Sequence, residues 1–221
     1  MIEQWRERFY PMFAVKLRYP RFQRANLWRE ARQGLCCLSK ANMLNEFDVL
    51  RDVTGRLTNA GIPHMLTGSL AMNYYSLPRM TRDVDIVVEA RDEDVDKIVS
   101  AFEADYYVER TAVSRAISYE RSFNMIHNEA VIKIDCIIRK SSEYRQLEFS
   151  RRQQAEIQGF PVWLVRKEDL IISKLFWARD SHSELQLRDV KNLLSSGYDV
   201  DYLDSWTRKL ELNSLLQECL E

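Results

Sequence analysis

The run Asp83-Val84-Asp85-Ile86-Val87-Val88-Glu89 sets two carboxylates two residues apart inside an apolar, β-branched segment. Such a run predicts a strand, and successive side chains of a strand alternate between its faces, so Asp83 and Asp85 project from the same face. Two like charges at that spacing repel unless something positive lies between them. The apolar neighbours predict a central strand, which makes the pair hard to explain as surface decoration. A hard divalent cation such as Mg2+ is one counter-charge; a strand end capped by Arg79 or Arg82 is the other. Asp135 adds a third acid inside an apolar run, Val131-Ile132-Lys133-Ile134-Asp135-Cys136-Ile137-Ile138. A charge there is expensive unless paired or metal-bound. If its strand neighbours the first, three carboxylates converge, as two-metal phosphoryl chemistry requires.

The 221-residue chain is 46% hydrophobic and 29% charged, with only six Gly and five Pro, a balance that supports a packed core and excludes a disordered or collagen-like chain. Lys and Arg number 32 against 33 Asp and Glu, so the whole molecule offers no net field toward nucleic acid or an anionic membrane. The uncharged stretch Asn59–Pro78 contains Gly61, Pro63, Gly68, Ser69 and Asn73 and is not expected to span a bilayer. No signal peptide is expected either, because Pro11 interrupts the apolar run Phe9–Val15 and acids precede it. The expected location is cytoplasmic. Cys36, Cys37, Cys136 and Cys219 fit neither a disulfide framework nor a zinc spacing and read as reduced thiols. His64, His127 and His182 are scattered and read as structural or surface histidines.

Charge divides the chain. Residues 1–42 hold nine basic and three acidic residues, a balance of +6, and the remainder holds 23 and 30, a balance of −7. The first part interleaves Trp5, Phe9, Tyr10, Phe13, Tyr19, Phe22 and Trp28 with Pro11 and Pro20. Three readings stand for it: an RNA-binding arm that uses phosphate contacts and base stacking, a segment packed on the body or a partner, or an extension translated from a start upstream of Met43.

From residue 43 the pattern is regular. Leu44, Phe47, Leu50, Val53 and Leu57 predict an amphipathic helix, and His64–Thr67 a short strand. Gly68 and Ser69 predict a turn and the N-cap of a helix through Leu77. Helix is expected over Asp92–Ala104, strands over 122–127 and 130–139 with a hairpin at Asn128 and Glu129, and a second hairpin around Gly159 and Pro161. Helices are expected over 167–180, 183–195 and 200–218. The expected fold is α+β, a mixed or antiparallel sheet flanked by helices, with a core over 43–165 and a C-terminal helical region, 166–221, packed on it.

A strand-to-helix turn with a small residue at the bend exposes backbone N–H groups to an anion, so Gly68 and Ser69 would hold a phosphate. Gly68-Ser69, thirteen intervening residues, Thr81 before Asp83-x-Asp85, and a later Asp135 together resemble the signature of the nucleotidyltransferase fold of the DNA polymerase beta superfamily. More narrowly, Glu168–Leu175 and the stretch Ser183–Asp189 are similar to segments of small bacterial nucleotidyltransferases of the AbiEii toxin type. The resemblance implies Asp83, Asp85 and Asp135 as a catalytic, metal-binding triad for Mg2+, with two ions, and Gly68-Ser69 as a phosphate loop. It also implies an NTP substrate, and an acceptor that ranges in such folds across tRNA ends, proteins and small antibiotics. A cognate antitoxin is the implied partner, and no membrane is involved.

Lys174 interrupts the apolar series Leu170, Ile171, Ile172, Leu175, Phe176 and Trp177, so its ammonium must snorkel to water or meet an anion such as a triphosphate. Glu168, Asp169, Glu184 and Asp189 read as solvated or capping residues, Asp189 being the one the resemblance marks. No P-loop, dinucleotide-binding or nucleophile-elbow motif is present. The chemistry expected is transfer of a nucleoside monophosphate to an acceptor with release of pyrophosphate. The alternative is a catalytically silent module that acts through NTP or partner binding.

Overall fold

Asn45 starts the first helix by a reciprocal cap: its side-chain oxygen accepts from the backbone N–H groups of Phe47 and Asp48, and Asp48 returns a bond to the Asn45 N–H. This is seen in a computed structural model that describes residues 44–181 and 183–221. The expectations for residues 1–42 and for His182 lie outside the described residues. The first helix, α1, runs Glu46–Asn59 and buries Val49, Leu50, Val53 and Leu57, the face its spacing predicts.

The remaining elements follow in order: β1 His64–Thr67, α2 Gly68–Tyr75, β2 Val84–Val88, a 3-10 turn Asp92–Asp94, α3 Val95–Phe102, β3 Tyr106–Tyr107, α4 Arg110–Ser118, β4 Ser122–His127, β5 Lys133–Ile138, α5 Glu143–Ser150, β6 Gln153–Ile157, β7 Phe160–Leu164, α6 Lys167–Ser181, α7 Glu184–Leu194, α8 Val200–Lys209 and α9 Asn213–Leu220. Residues 44–221 form one compact unit. No described helix is long and apolar enough to cross a membrane.

The seven strands form one mixed sheet in the order β3-β4-β5-β2-β1-β7-β6. β1/β7 and β2/β5 pair parallel and the other neighbours antiparallel. Alternation assigns the faces. Val84, Ile86, Val88, Ile134, Cys136, Phe123 and Met125 are buried, while Asp85, Val87, Asp135, Ile137, Asn124 and Ile126 occupy the opposite, more open face. α3 packs on α1 and α4, and α4 on β4. On the other flank α2 packs on β1, β2, α6 and α7, and α7, α8 and α9 pack around α6.

Two helix details differ from the sequence reading. The N-cap of α2 is Thr67, not Ser69, because Gly68 opens the helix at φ +66°, a left-handed conformation open to glycine. The C-terminal helix expected over 200–218 breaks into α8 and α9 where Glu211 takes φ +57°. β3 and α4 complete the sheet edge in a stretch for which the sequence carried no assignment.

Candidate active site

Thr67, Asp85 and Asp135 are cross-strand partners in one row over β1, β2 and β5. β1 ends at Thr67, so the chain turns into α2 directly beside Asp85. The Ser69 backbone N–H lies close enough to the Asp85 carboxylate to favour its charged form. Gly68 lies so close to that carboxylate that a Cβ there would be 2.0 Å from Asp85 Oδ2. Burial pushes the Asp85 carboxyl up, and the charges of Asp135 and Asp83 push it further, against the pull of the Ser69 N–H and the Lys174 ammonium.

Asp83 stands one residue before β2 and is exposed, a correction to its placement inside the strand. Asp135 is half-buried and accepts from the Lys133 ammonium at 2.8 Å. That hydrogen bond raises the Lys133 pKa, as do the charges of Asp135, Asp83 and Asp85. The three acids thus share one electrostatic neighbourhood, and a cation is already drawn to it. They are not a closed cage: among the described residues, no group of three or more His, Cys, Asp or Glu side chains is arranged to hold a metal by itself. The donor set, all oxygen, with Asp85 and Asp135 on adjacent strands and Asp83 just before β2, fits a hard divalent cation that keeps water and takes phosphate oxygens as its remaining ligands.

Lys174 does not snorkel. It is 4% exposed, and its ammonium donates to Asp189 Oδ2 at 2.7 Å and to Gln186 Oε1 at 3.3 Å. Burial lowers its pKa and Arg79 lowers it too, while Asp189 and Asp85 oppose them. Asp189 is fully buried rather than solvated, and Arg79 Nη2 reaches both its Oδ2, at 3.3 Å, and Ser69 Oγ, at 2.6 Å. Arg79 therefore serves the Ser69 turn and not the Asp83/Asp85 pair. Its Nε is buried without a hydrogen-bond partner.

Asp169 is likewise buried, correcting its reading as a surface residue. It accepts from Tyr202 Oη at 2.6 Å, Arg151 Nε at 3.0 Å and Tyr144 Oη at 3.2 Å, which ties α6 to α5 and α8. Glu168 accepts from the Asp199 N–H and keeps its capping role. Cys136 and Cys219 are buried free thiols, and His64 and His127 are buried and engaged locally.

A cavity of about 290 Å³ opens beside this row. Thr67, Gly68, Ser69, Asp85 and Lys174 line it, together with Arg139, Lys140, Arg145 and Glu148. The sequence reading missed Arg145 and Glu148. They form an i,i+3 pair on α5, a pattern that on its own reads as a solvated ion pair.

No protein-family model matches the sequence, and no curated protein matches it. Solved structures do. The antibiotic-resistance factor ANT(2'')-Ia matches with a TM-score of 0.50 and 13% identity, over 78% of this chain and 96% of that one. The chain has the nucleotidyltransferase fold. A nucleotidyltransferase-like protein from Paracoccidioides brasiliensis is also similar, with a TM-score of 0.49 and 17% identity over 78% of this chain and 92% of that one. The lincomycin-bound lincosamide antibiotic adenylyltransferase LnuA has a TM-score of 0.48 and 14% identity over 70% and 99%.

Proposed function

We propose that this chain is a Mg2+-dependent nucleotidyltransferase that moves a nucleoside monophosphate from an NTP to an acceptor hydroxyl or phosphate. The observation that carries the reading is the in-register row Thr67, Asp85 and Asp135 with the Gly68-Ser69 turn packed on Asp85. A structural strand gains nothing from a raised, half-satisfied carboxylate beside a second one. Asp83, Asp85 and Asp135 would hold Mg2+, which when bound stabilises charge on the phosphates and eases deprotonation of the attacking oxygen.

The chain's own groups divide the remaining work. The Gly68-Ser69 turn presents backbone N–H groups at the start of α2 to the β- and γ-phosphates, and Lys174 sets a positive charge beside them. Arg79 fixes the Ser69 hydroxyl, and Asp189 fixes the Lys174 ammonium. Asp135 takes the acceptor's proton as the new oxygen–phosphorus bond forms, and pyrophosphate departs as the bond to the β-phosphate oxygen breaks. In the finer reading the chain is an AbiEii-type toxin paired with an antitoxin, supported by the Glu168–Leu175 and Ser183–Asp189 stretches.

A thermal-shift titration of wild type and Asp83→Asn/Asp85→Asn with each NTP, with and without Mg2+, tests the reading through mass action on the native state. Stabilisation of wild type alone, and only by metal and NTP together, is the expected result. If no NTP shifts either protein, the reading fails and the silent, partner-binding module takes its place.

A further inference from the structure

From Asp85 the site extends two ways. β1 runs antiparallel to β2 and ends at Thr67, so the Gly68-Ser69 turn lies toward the Asp83 end of β2. In the opposite direction, two residues and roughly 7 Å further along, Val87 and Ile137 face each other across β2 and β5. If the triphosphate sits at the turn and the α-phosphate at Asp85, the nucleoside must run over this apolar pair. The cavity does so: Val87 and Ile137 line it, as do Leu170, Ser173, Lys174 and Trp177. Those four positions are spaced i, i+3, i+4 and i+7 and so share one face of α6. The Trp177 side chain is 62% exposed, a flat aromatic surface left available for stacking.

Arg145, Glu148 and Ser173 give the slot a polar wall. Arg145 Nη1 donates to Glu148 Oε2 at 2.7 Å and to Ser173 Oγ at 2.6 Å, and Ser173 Oγ donates to Glu148 Oε1 at 2.7 Å. Glu148 is 3% exposed, so the anchor is held out of water. Both Nη1 protons are thereby used. The Nε–H and Nη2–H edge, a two-pronged donor fork, makes no hydrogen bond among the described residues, on a side chain that lines the cavity.

We propose that Arg145, fixed by Glu148 and Ser173, reads the base of the NTP and selects one that shows two acceptors side by side. Guanine does so at O6 and N7, and cytosine at O2 and N3. Adenine and uracil set a donor, N6–H2 or N3–H, beside each candidate acceptor at those edges, which opposes the fork. GTP and CTP are therefore the preferred donors over ATP and UTP. The volume is at the low end for ligand sites and takes one nucleoside, so the acceptor approaches from the open sheet face beyond Asp135.

This inference rests on the nucleotidyltransferase reading, and the test separates the two. Calorimetric titration of the full chain with GTP, CTP, ATP, UTP and tripolyphosphate, each in Mg2+, should give GTP and CTP affinities about tenfold above ATP and UTP, a factor one bidentate pair supplies. Arg145→Lys keeps the charge but loses the fork and should level the four nucleotides; Ser173→Ala, which removes one anchor, should narrow the preference several-fold. Equal binding of all four by wild type, or a preference that survives Arg145→Lys, overturns the base-reading role while the nucleotidyltransferase reading stands. Failure of wild type to bind tripolyphosphate or any nucleotide overturns both. Should Arg145→Lys not fold, the wild-type panel and Ser173→Ala still decide.

Discussion

A Cβ on Gly68 would come within 2.0 Å of Asp85 Oδ2 and 2.7 Å of its Cβ, so the turn and the carboxylate are packed as one unit. The atoms met include the root of the Asp85 side chain, which cannot swing away as a flexible tip would. Gly68→Ala therefore carries two costs: about 1–2 kcal/mol for a left-handed residue with a side chain, and displacement of the Asp85 carboxylate from the turn. Gly61 supplies the control, with φ +70° and nothing within 4 Å of its added Cβ. Gly61→Ala should lower the melting temperature only by the conformational part and leave Mg2+-dependent NTP binding intact; Gly68→Ala should abolish that binding. Equal effects of the two variants on nucleotide binding would contradict the close packing.

Much of this geometry could be read from residues near one another in sequence. The strand over His64–Thr67, the turn at Gly68 and the alternation around Asp85 are local patterns, and the structure places them where the periodicity predicts. The adjacency of Asp85 and Asp135 was not readable, because β3, α4 and β4 intervene between β2 and β5 and strand order is settled by packing. Buried acids were missed for a related reason. Asp169 is satisfied by Tyr144, Arg151 and Tyr202, and Asp189 by Arg79 and Lys174, all distant in sequence. Without those partners in view, a carboxylate on a helix reads as solvated. β3 is only two residues long and shows no alternation to detect.

The charge on Asp85 makes stability depend on pH in a direction opposite to an ordinary ion-paired carboxylate. Burial and the neighbouring Asp135 and Asp83 hold its folded pKa above the unfolded value of about 3.9. The folded state then binds the proton more tightly, so this group favours folding below the unfolded pKa and loses that contribution as pH rises through the folded pKa. Asp85→Asn should accordingly raise the melting temperature at neutral pH, with the gain shrinking as pH falls through the folded pKa toward the unfolded one. The same variant should lose Mg2+-dependent nucleotide binding, the stability–function trade expected of a site group. Melting curves of both proteins across pH 3–8 check the sign; a variant less stable than wild type at neutral pH would contradict it.

Lys174 and Asp189 form the most deeply buried ion pair among the described residues, with side chains 4% and 1% exposed and a separation of 2.7 Å. Removing one partner leaves the other charge buried without its counter-ion. Asp189→Ala should cost about 3–5 kcal/mol, since Gln186 offers Lys174 only a neutral acceptor at 3.3 Å and Arg79 adds repulsion. Lys174→Met should be milder in stability, because Arg79 remains to pair with Asp189 at 3.3 Å. The double variant, Lys174→Met with Asp189→Leu, should recover part of the loss caused by Asp189→Ala, because the buried ammonium leaves with its carboxylate and only the partly exposed Arg79 is left without its ion pair. Denaturant unfolding of the three proteins measures this directly. The nucleotide readout should run differently: Lys174→Met and the double variant both remove the ammonium beside the Ser69 turn, so both should bind tripolyphosphate more weakly than wild type even where stability has returned. Wild-type tripolyphosphate affinity in Lys174→Met would show that the pair holds α6 to α7 and takes no part in anion binding.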